Sequence, residues 1–391
     1  MEVVLKFFQG FINMGASTLL PFVIAILGIF FGMKIGRAIK AGLLVGIGFQ
    51  GLVLAVNLLI TSVTPAMQYY KDLGSGYDTL EIGFAALGAA SWTTPFAVLV
   101  IPAIIIANLI LVRLKVTKVL NVDIWNFMHF LVPGALAYAL TKNAVIGFIV
   151  AFACGMAVLF FGQWIAKPWQ EFFGLEGTTC TCLCFVGEKL GILGDPAVIG
   201  IFAGVFLGVI TKQSPADIVT MAMGVAAAMV LIPRMVSIMM EGLSPLGQAA
   251  SEYAHRKVGE DADIYIGMDI ALGLGDPACI TCTAIMIPVT VLLVFLVPGM
   301  RFFPLSLLAE VCYMTPMVVL SSKGNLVRSL IGMTLMMYLT LFFANMFIPE
   351  ATQMMSVTNV HFAGTVTASH FGWNPGNLIV SFIHRIMMMI G

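Results

Sequence analysis

Seven carboxylates stand in stretches of this sequence that are otherwise apolar: Glu81, Asp123, Glu176, Asp195, Asp269, Asp276 and Glu310. A charge at membrane depth costs at least ~3 kcal/mol, so acids in such places are kept for binding or chemistry. Asp269 and Asp276 are seven residues apart, about two helical turns, and a helix would turn both toward one cavity. Ionised carboxylates accept strong hydrogen bonds from hydroxyls, and a protonatable one can take the proton of a reacting hydroxyl. The pair therefore suits a polyol. Asp276 has a second reading: it precedes Pro277 and would cap the helix that follows. Asp269 precedes no such helix start.

Two further groups carry polar chemistry. Glu176 opens Glu176-Gly177-Thr178-Thr179, where a carboxylate and two hydroxyls sit in an apolar, Cys-rich run; it either meets a substrate or pairs at the interface with Lys167 or Lys189. Asp123, Asn126 and His129 follow at i, i+3 and i+6, so Asp123 and Asn126 share a helix face and His129 lies near it. Asp123 has the position of a helix cap, whereas Asn126 and His129 either bind hydroxyls or join helices. Cys180, Cys182 and Cys184 alternate, and Cys279 and Cys282 form a Cys-x-x-Cys. Such spacings can hold a soft metal, but Cys is also a small residue that lets broken helices pack. We expect no metal and no cofactor.

The elements that must position these groups are membrane helices. Of 391 residues, 60% are hydrophobic and 10% charged, against roughly 25% charged in a soluble domain. Ten spans are expected: 16–33, 43–62, 95–112, 124–140, 145–165, 197–210, 218–232, 278–297, 305–320 and 326–347. Lys34, Arg37 and Lys40 after the first span, and Arg113, Lys115 and Lys118 after the third, place both turns in the cytoplasm and the N-terminus outside. Segments 83–92, 178–193, 264–275 and 363–376 are too apolar for loops and too short or Gly-rich for spans. They read as re-entrant, and non-helical backbone at that depth lines a cavity or is buried in protein.

Gly-Asp-Pro-Ala occurs at 194–197 and again at 275–278, each time before an apolar helix. Together with a shared pattern in 21–51 and 196–233, it points to two related, inverted halves, an arrangement common among carriers. The fold expected is an all-α polytopic membrane protein in one domain, 1–391, with binding segments near 81–130, 174–200 and 264–290.

Other classes are excluded by what the sequence lacks. It carries no phosphate loop and no dinucleotide fingerprint. Nineteen basic residues balance nineteen acidic ones without a basic cluster, so no nucleic-acid partner is expected. The N-terminal segment shows no cleavage site and is read as retained. Seven cysteines, mostly in apolar runs, read as free thiols.

Asn121-Val122-Asp123-Ile124-Trp125-Asn126 with His129, Leu175-Glu176-Gly177, Gly194-Asp195-Pro196-Ala197, Ile232-Pro233-Arg234, Ile266-Gly267-Met268-Asp269 and Lys323-Gly324-Asn325-Leu326-Val327-Arg328 occur in that order. The ordered set, over residues 10 to 350, resembles the galactitol-type enzyme IIC of the bacterial phosphoenolpyruvate-dependent sugar phosphotransferase system. The resemblance implies a multi-pass permease of the inner membrane, homodimeric, moving a polyol by an elevator-like displacement. It also implies partners: enzyme IIB, whose cysteine donates the phosphoryl group, and enzyme IIA, which charges IIB. The chain would then be the transport component, not itself phosphorylated. Glu81, Asn126, His129, Glu176, Thr178, Asp269 and Asp276, with Asp123, are the expected substrate residues. The sequence departs from the family after Leu175-Glu176-Gly177, where an Ile-Pro-His-Gly or Ile-Pro-Gln-Gly is usual and a short Cys-rich stretch stands here, and at Asp276, where His is frequent. An ion-coupled carrier of a small polyol, on the same fold without phosphotransfer, is the alternative.

Overall fold

The computed structural model describes residues 16–72, 77–121, 124–181, 196–258, 265–268, 270, 276–357 and 364–390. Its first half contains α1 (Ala16–Phe30), α2 (Ile35–Asp72), β1 (Thr79–Glu81), α3 (Gly83–Ser91), α4 (Ala97–Arg113), β2 (Val119–Asn121), a 3-10 turn (Ile124–Phe127), α5 (Met128–Thr141), α6 (Ala144–Phe173) and β3 (Thr178–Cys180). The second half contains α7 (Pro196–Ile210), α8 (Pro215–Val258), β4 (Tyr265–Met268), α9 (Pro277–Leu293), α10 (Leu305–Ser321), α11 (Leu326–Met346), α12 (Ile348–Ser356), β5 (Thr365–Thr367), α13 (His370–Trp373) and α14 (Pro375–Ile390).

Each expected span coincides with a helix, and two run on well past theirs: α2 reaches Asp72 and α8 reaches Val258. Helix starts follow their local chemistry. Asn143 and Asn325 accept the first amides of α6 and α11, and Pro196 and Pro277 begin α7 and α9, where proline loses no hydrogen bond. Among the described residues, α6 and α11 are long and apolar enough to cross a bilayer. Ile26 and Phe30 of α1, Ile106 and Ile110 of α4, Trp164 of α6 and Ile331 and Leu335 of α11 face outward. Water does not tolerate that much exposed apolar surface, whereas acyl chains solvate it.

The expectation of a purely helical chain needs one correction. Among the described residues, five strands of three or four residues pair in parallel, β1 with β5 and, in a second sheet, β2 and β3 on either side of β4. Three of them, β3, β4 and β5, fall in segments read as re-entrant, and β1 leads directly into the fourth, α3. The pairing satisfies backbone groups that no lipid could bond. The sequence does not signal it, because strands this short carry no periodicity.

Hydrogen bonds repeat between the halves. After α1, the amides of Phe31, Gly32 and Met33 donate to Leu27, Ile29 and Gly28; after α7, those of Thr211, Lys212 and Gln213 donate to Leu207, Val209 and Gly208. Lys118 N donates to Gln163 Oε1 and Arg301 N to Asn345 Oδ1, each at 2.8 Å. Tyr265 N donates to Lys118 O, and Thr79 N to Arg301 O. The Thr179 hydroxyl donates to Gly162 O, and that of Thr367 to Ala344 O. The first strand of each half therefore lies between two segments of the other half. β4 sits between β2 and β3, and β1 between β5 and the chain at Arg301.

Helices α1, α2, α7 and α8 pack together as one bundle, while α5 packs on α6 and α9 on α10 and α11 in a second group. The two strand crossings and the residues around them belong to this second group.

Candidate functional site

The crossing at β1 is held by two buried carboxylates. Glu81 ends β1; its Oε1 accepts from Gly83 N at 2.8 Å, and its Oε2 from Ser306 N at 2.7 Å and Leu307 N at 3.0 Å, the first amides of α10. Glu310, one turn into α10, accepts from Phe84 N at 2.9 Å, the start of α3, and from the Ser369 hydroxyl. Helix N-termini present unpaired amides and a partial positive charge, and each acid meets one. All four carboxylate oxygens are engaged. Gly83 makes this possible: its φ is +75°, and a Cβ there would lie 2.8 Å from Ser306 Cβ and 2.9 Å from Glu310 Oε1.

The crossing at β4 carries neutral polar groups. Asn108 of α4 donates to Val119 O and accepts from Asn121 N, fixing β2. Thr181, following β3, donates to Asn121 Oδ1 at 3.1 Å and accepts from Asn126 Nδ2 at 3.2 Å. All four side chains are buried. Asn126 Oδ1 is also buried and has no partner among the described residues. Gly267 of β4 leaves the space Thr181 needs, since a Cβ there would come within 2.6 Å of its side chain.

His129 joins the two crossings. Its ring stacks on His370 with centroids 5.8 Å apart, and His370 stacks in turn on Phe84 at 6.3 Å. Trp373 lies edge-on to His370 at 4.6 Å and 5.9 Å from His129, with its buried Nε1 unpartnered. Asn377 and Asn374 hold the two ring nitrogens of His370 at 2.9 and 3.4 Å, and Asn374 also donates to His129 O.

The expected site residues are thus distributed unevenly. Asn126 and His129 are both buried in the core, and Glu81 is buried at the other crossing with both oxygens accepting from amides. Asp276 caps α9, its Oδ1 accepting from Ala278 N and Cys279 N. The Thr178 hydroxyl donates to Leu175 O, and Glu176 is exposed in the turn before β3. Asp123, Asp195 and Asp269 lie outside the described residues, as do Cys182 and Cys184. Cys180, Cys279 and Cys282 are buried free thiols, and no cluster of three metal-ligating side chains forms among the described residues.

Sequence reading passed over Thr181, Ser369, His370, Trp373, Asn374 and Asn377. A signal was present. Thr365-Val366-Thr367-Ala368-Ser369-His370 places a hydroxyl at every second position of a re-entrant segment, and Thr179-Cys180-Thr181 does the same.

Outside the core, Asp78 and Arg301 form a two-pronged ion pair at 2.9 and 2.8 Å. Hydrogen bonds from Arg301 hold the Asp78 carboxyl below its ordinary pKa.

The sequence matches the family described as the PTS system sugar-specific permease component over residues 10–188 and 185–365, two stretches that divide the chain where its halves meet. It is 30% identical, over 92% of its length and 86% of theirs, to the galactitol-specific EIIC components of Escherichia coli K12 and O157:H7. An amphiphilic shell of exposed apolar helices around a buried polar core agrees with that relationship. The chain therefore belongs to the galactitol-type enzyme IIC family, the membrane-embedded sugar permeases of the phosphotransferase system.

Proposed function

We propose that the chain binds galactitol or a closely related polyol and carries it across the bacterial inner membrane for phosphorylation by a partner enzyme IIB. The observation that carries the substrate class is the neutral character of the buried polar core. Asn126, Thr181, His129 and Trp373 offer amide, hydroxyl, imidazole and indole groups, and each oxygen of Glu81 and Glu310 already accepts at least one bond from the protein. Such a core matches a solute that is rich in hydroxyls and uncharged. Asp269 and Asp123, adjoining β4 and β2 in the sequence, would add carboxylate acceptors for hydroxyls.

Ion-coupled carriage is not favoured. The matching family and the relatives are phosphotransferase-system components, and the buried acids Glu81 and Glu310 accept from helix amides and a serine hydroxyl. Phosphoryl transfer from a partner's cysteine asks the permease for position rather than covalent chemistry: one hydroxyl held in line with the donor, in a site that excludes water.

In this reading the ten helices that match the expected spans cross the bilayer. Each half then contributes five crossings, an odd number, so the second half is inverted relative to the first. The bundle of α1, α2, α7 and α8 is the static frame, the group carrying the strand crossings is the moving body of an elevator, and the protein works as a homodimer. Calorimetry on the purified protein tests the substrate. Galactitol should bind saturably, and Asp269→Asn should abolish binding; unchanged affinity removes Asp269 from the site.

A further inference from the structure

The two crossings occupy equivalent places in the repeat, which makes their differences informative. Matching Thr179 to Thr367 through their shared bond to the facing helix sets Thr181 opposite Ser369. In both places a hydroxyl two residues beyond the matched threonine orients a polar side chain of the neighbouring helical segment. Ser369 orients Glu310, each of whose oxygens then has a partner. Thr181 orients Asn126, and there the count does not close.

A threonine hydroxyl has one hydrogen to give. Thr181 gives it to Asn121 Oδ1, so only its lone pairs face Asn126, and they accept from the amide NH2. The Asn126 amide is therefore fixed with its nitrogen toward Thr181 and its oxygen away. That oxygen is buried, in a side chain with 0% exposure, and has no partner among the described residues. A buried carbonyl oxygen left unpaired costs ~1–3 kcal/mol, which native proteins seldom leave uncompensated. Asn121, which sets the hydrogen of Thr181, is itself anchored through its backbone N–H to Asn108 on α4. The orientation is thus imposed by a chain of bonds running from α4 through β2 and the residue after β3.

We infer that Thr181 is a positioning residue that sets Asn126 Oδ1 as a fixed acceptor for one substrate hydroxyl, so that this position of the polyol is read as a hydrogen donor. The inference deepens the polyol reading above and rests on it. Loss of the Thr181 hydroxyl frees the amide to turn and offer its NH2 instead, which costs affinity only for a ligand that carries the hydroxyl in question.

The test is calorimetric binding of galactitol, and of galactitol analogues each lacking one hydroxyl, to the full-length wild-type, Thr181→Val and Thr181→Ser proteins. Thr181→Val should weaken galactitol binding about tenfold or more, and Thr181→Ser should bind like wild type. One analogue should bind Thr181→Val and wild type equally, because the hydroxyl that Asn126 reads is already gone. If Thr181→Val leaves galactitol binding unchanged, or weakens galactitol and every analogue by the same factor, the positioning role is wrong while the polyol reading stands. A wild-type protein that binds galactitol no better than a charged sugar overturns both.

Discussion

Glu81 and Glu310 each cap the helix to which the other belongs or leads. Glu81, at the end of the strand that runs into α3, accepts the first amides of α10, and Glu310 of α10 accepts the first amide of α3. The two acids lock the short helix α3 of the first half to α10 of the second. Replacing Glu81 by Ala strands three N–H groups, two buried and one part-buried, at ~1–3 kcal/mol each for the buried ones before relaxation. The Glu81→Ala protein should therefore lose at least ~3 kcal/mol, seen as a large drop in unfolding temperature in detergent, and Glu81→Gln should fall between the two. An unchanged unfolding temperature would show that the acids serve something other than the joint.

The same joint makes Gly83 intolerant of a side chain. Gly83→Ala meets both a positive φ and Ser306 Cβ at 2.8 Å, which together cost ~2–4 kcal/mol. Thermal unfolding of Gly83→Ala beside Gly174→Ala checks this. Gly174 also has positive φ, but no atom lies within 4 Å of the added carbon, so its loss should be the smaller. Equal losses would mean that φ alone decides.

Asp276 spends its Oδ1 on the amides of Ala278 and Cys279. Asparagine keeps that acceptor and alanine does not, so Asp276→Asn should retain stability and Asp276→Ala should lose ~1 kcal/mol. Galactitol affinity should be the same in Asp276→Asn as in wild type. A tenfold loss there would show that Asp276 meets the substrate as well as capping α9.

The Asp78–Arg301 pair gives a pH signature. Asp78 has a lower pKa folded than unfolded, so its stabilisation is complete above the unfolded value, near pH 4, and is lost as pH falls through the folded one. Both side chains are about two-fifths exposed, which limits the contribution to under ~1 kcal/mol. The gap in unfolding temperature between wild type and Asp78→Asn should be present at neutral pH and close below about pH 4. A gap independent of pH would contradict the assignment.

Much of the helical frame was legible because apolar runs, Pro-led starts and Asn caps are local. Segments 83–92, 178–193, 264–275 and 363–376 stood out too, as too apolar for loops and too short for spans, and a short helix or strand forms within each. What linked them was not legible. Glu81 meets Ser306 across a separation of 225 residues, and Thr79 meets Thr365 across 286. No periodicity in three-residue strands announces such pairs. The acids were recognised as costly at that depth, but the compensation for Glu81 and Glu310 is helix amides rather than a solute. Asn126 and His129 were found through their spacing on one face, whereas His370 and Asn377, which complete their surroundings, belong to a tail segment whose hydroxyl alternation had no partner in sight.

The central claim is that this permease delivers its polyol through phosphotransfer. The direct measurement is uptake of radiolabelled galactitol by vesicles containing the chain, with enzymes IIA and IIB and phosphoenolpyruvate either supplied on the cytoplasmic side or withheld. Phosphorylated galactitol should accumulate only when the partners and the phosphoryl donor are supplied. Accumulation of unmodified galactitol without them, driven by an imposed ion gradient, would contradict the account.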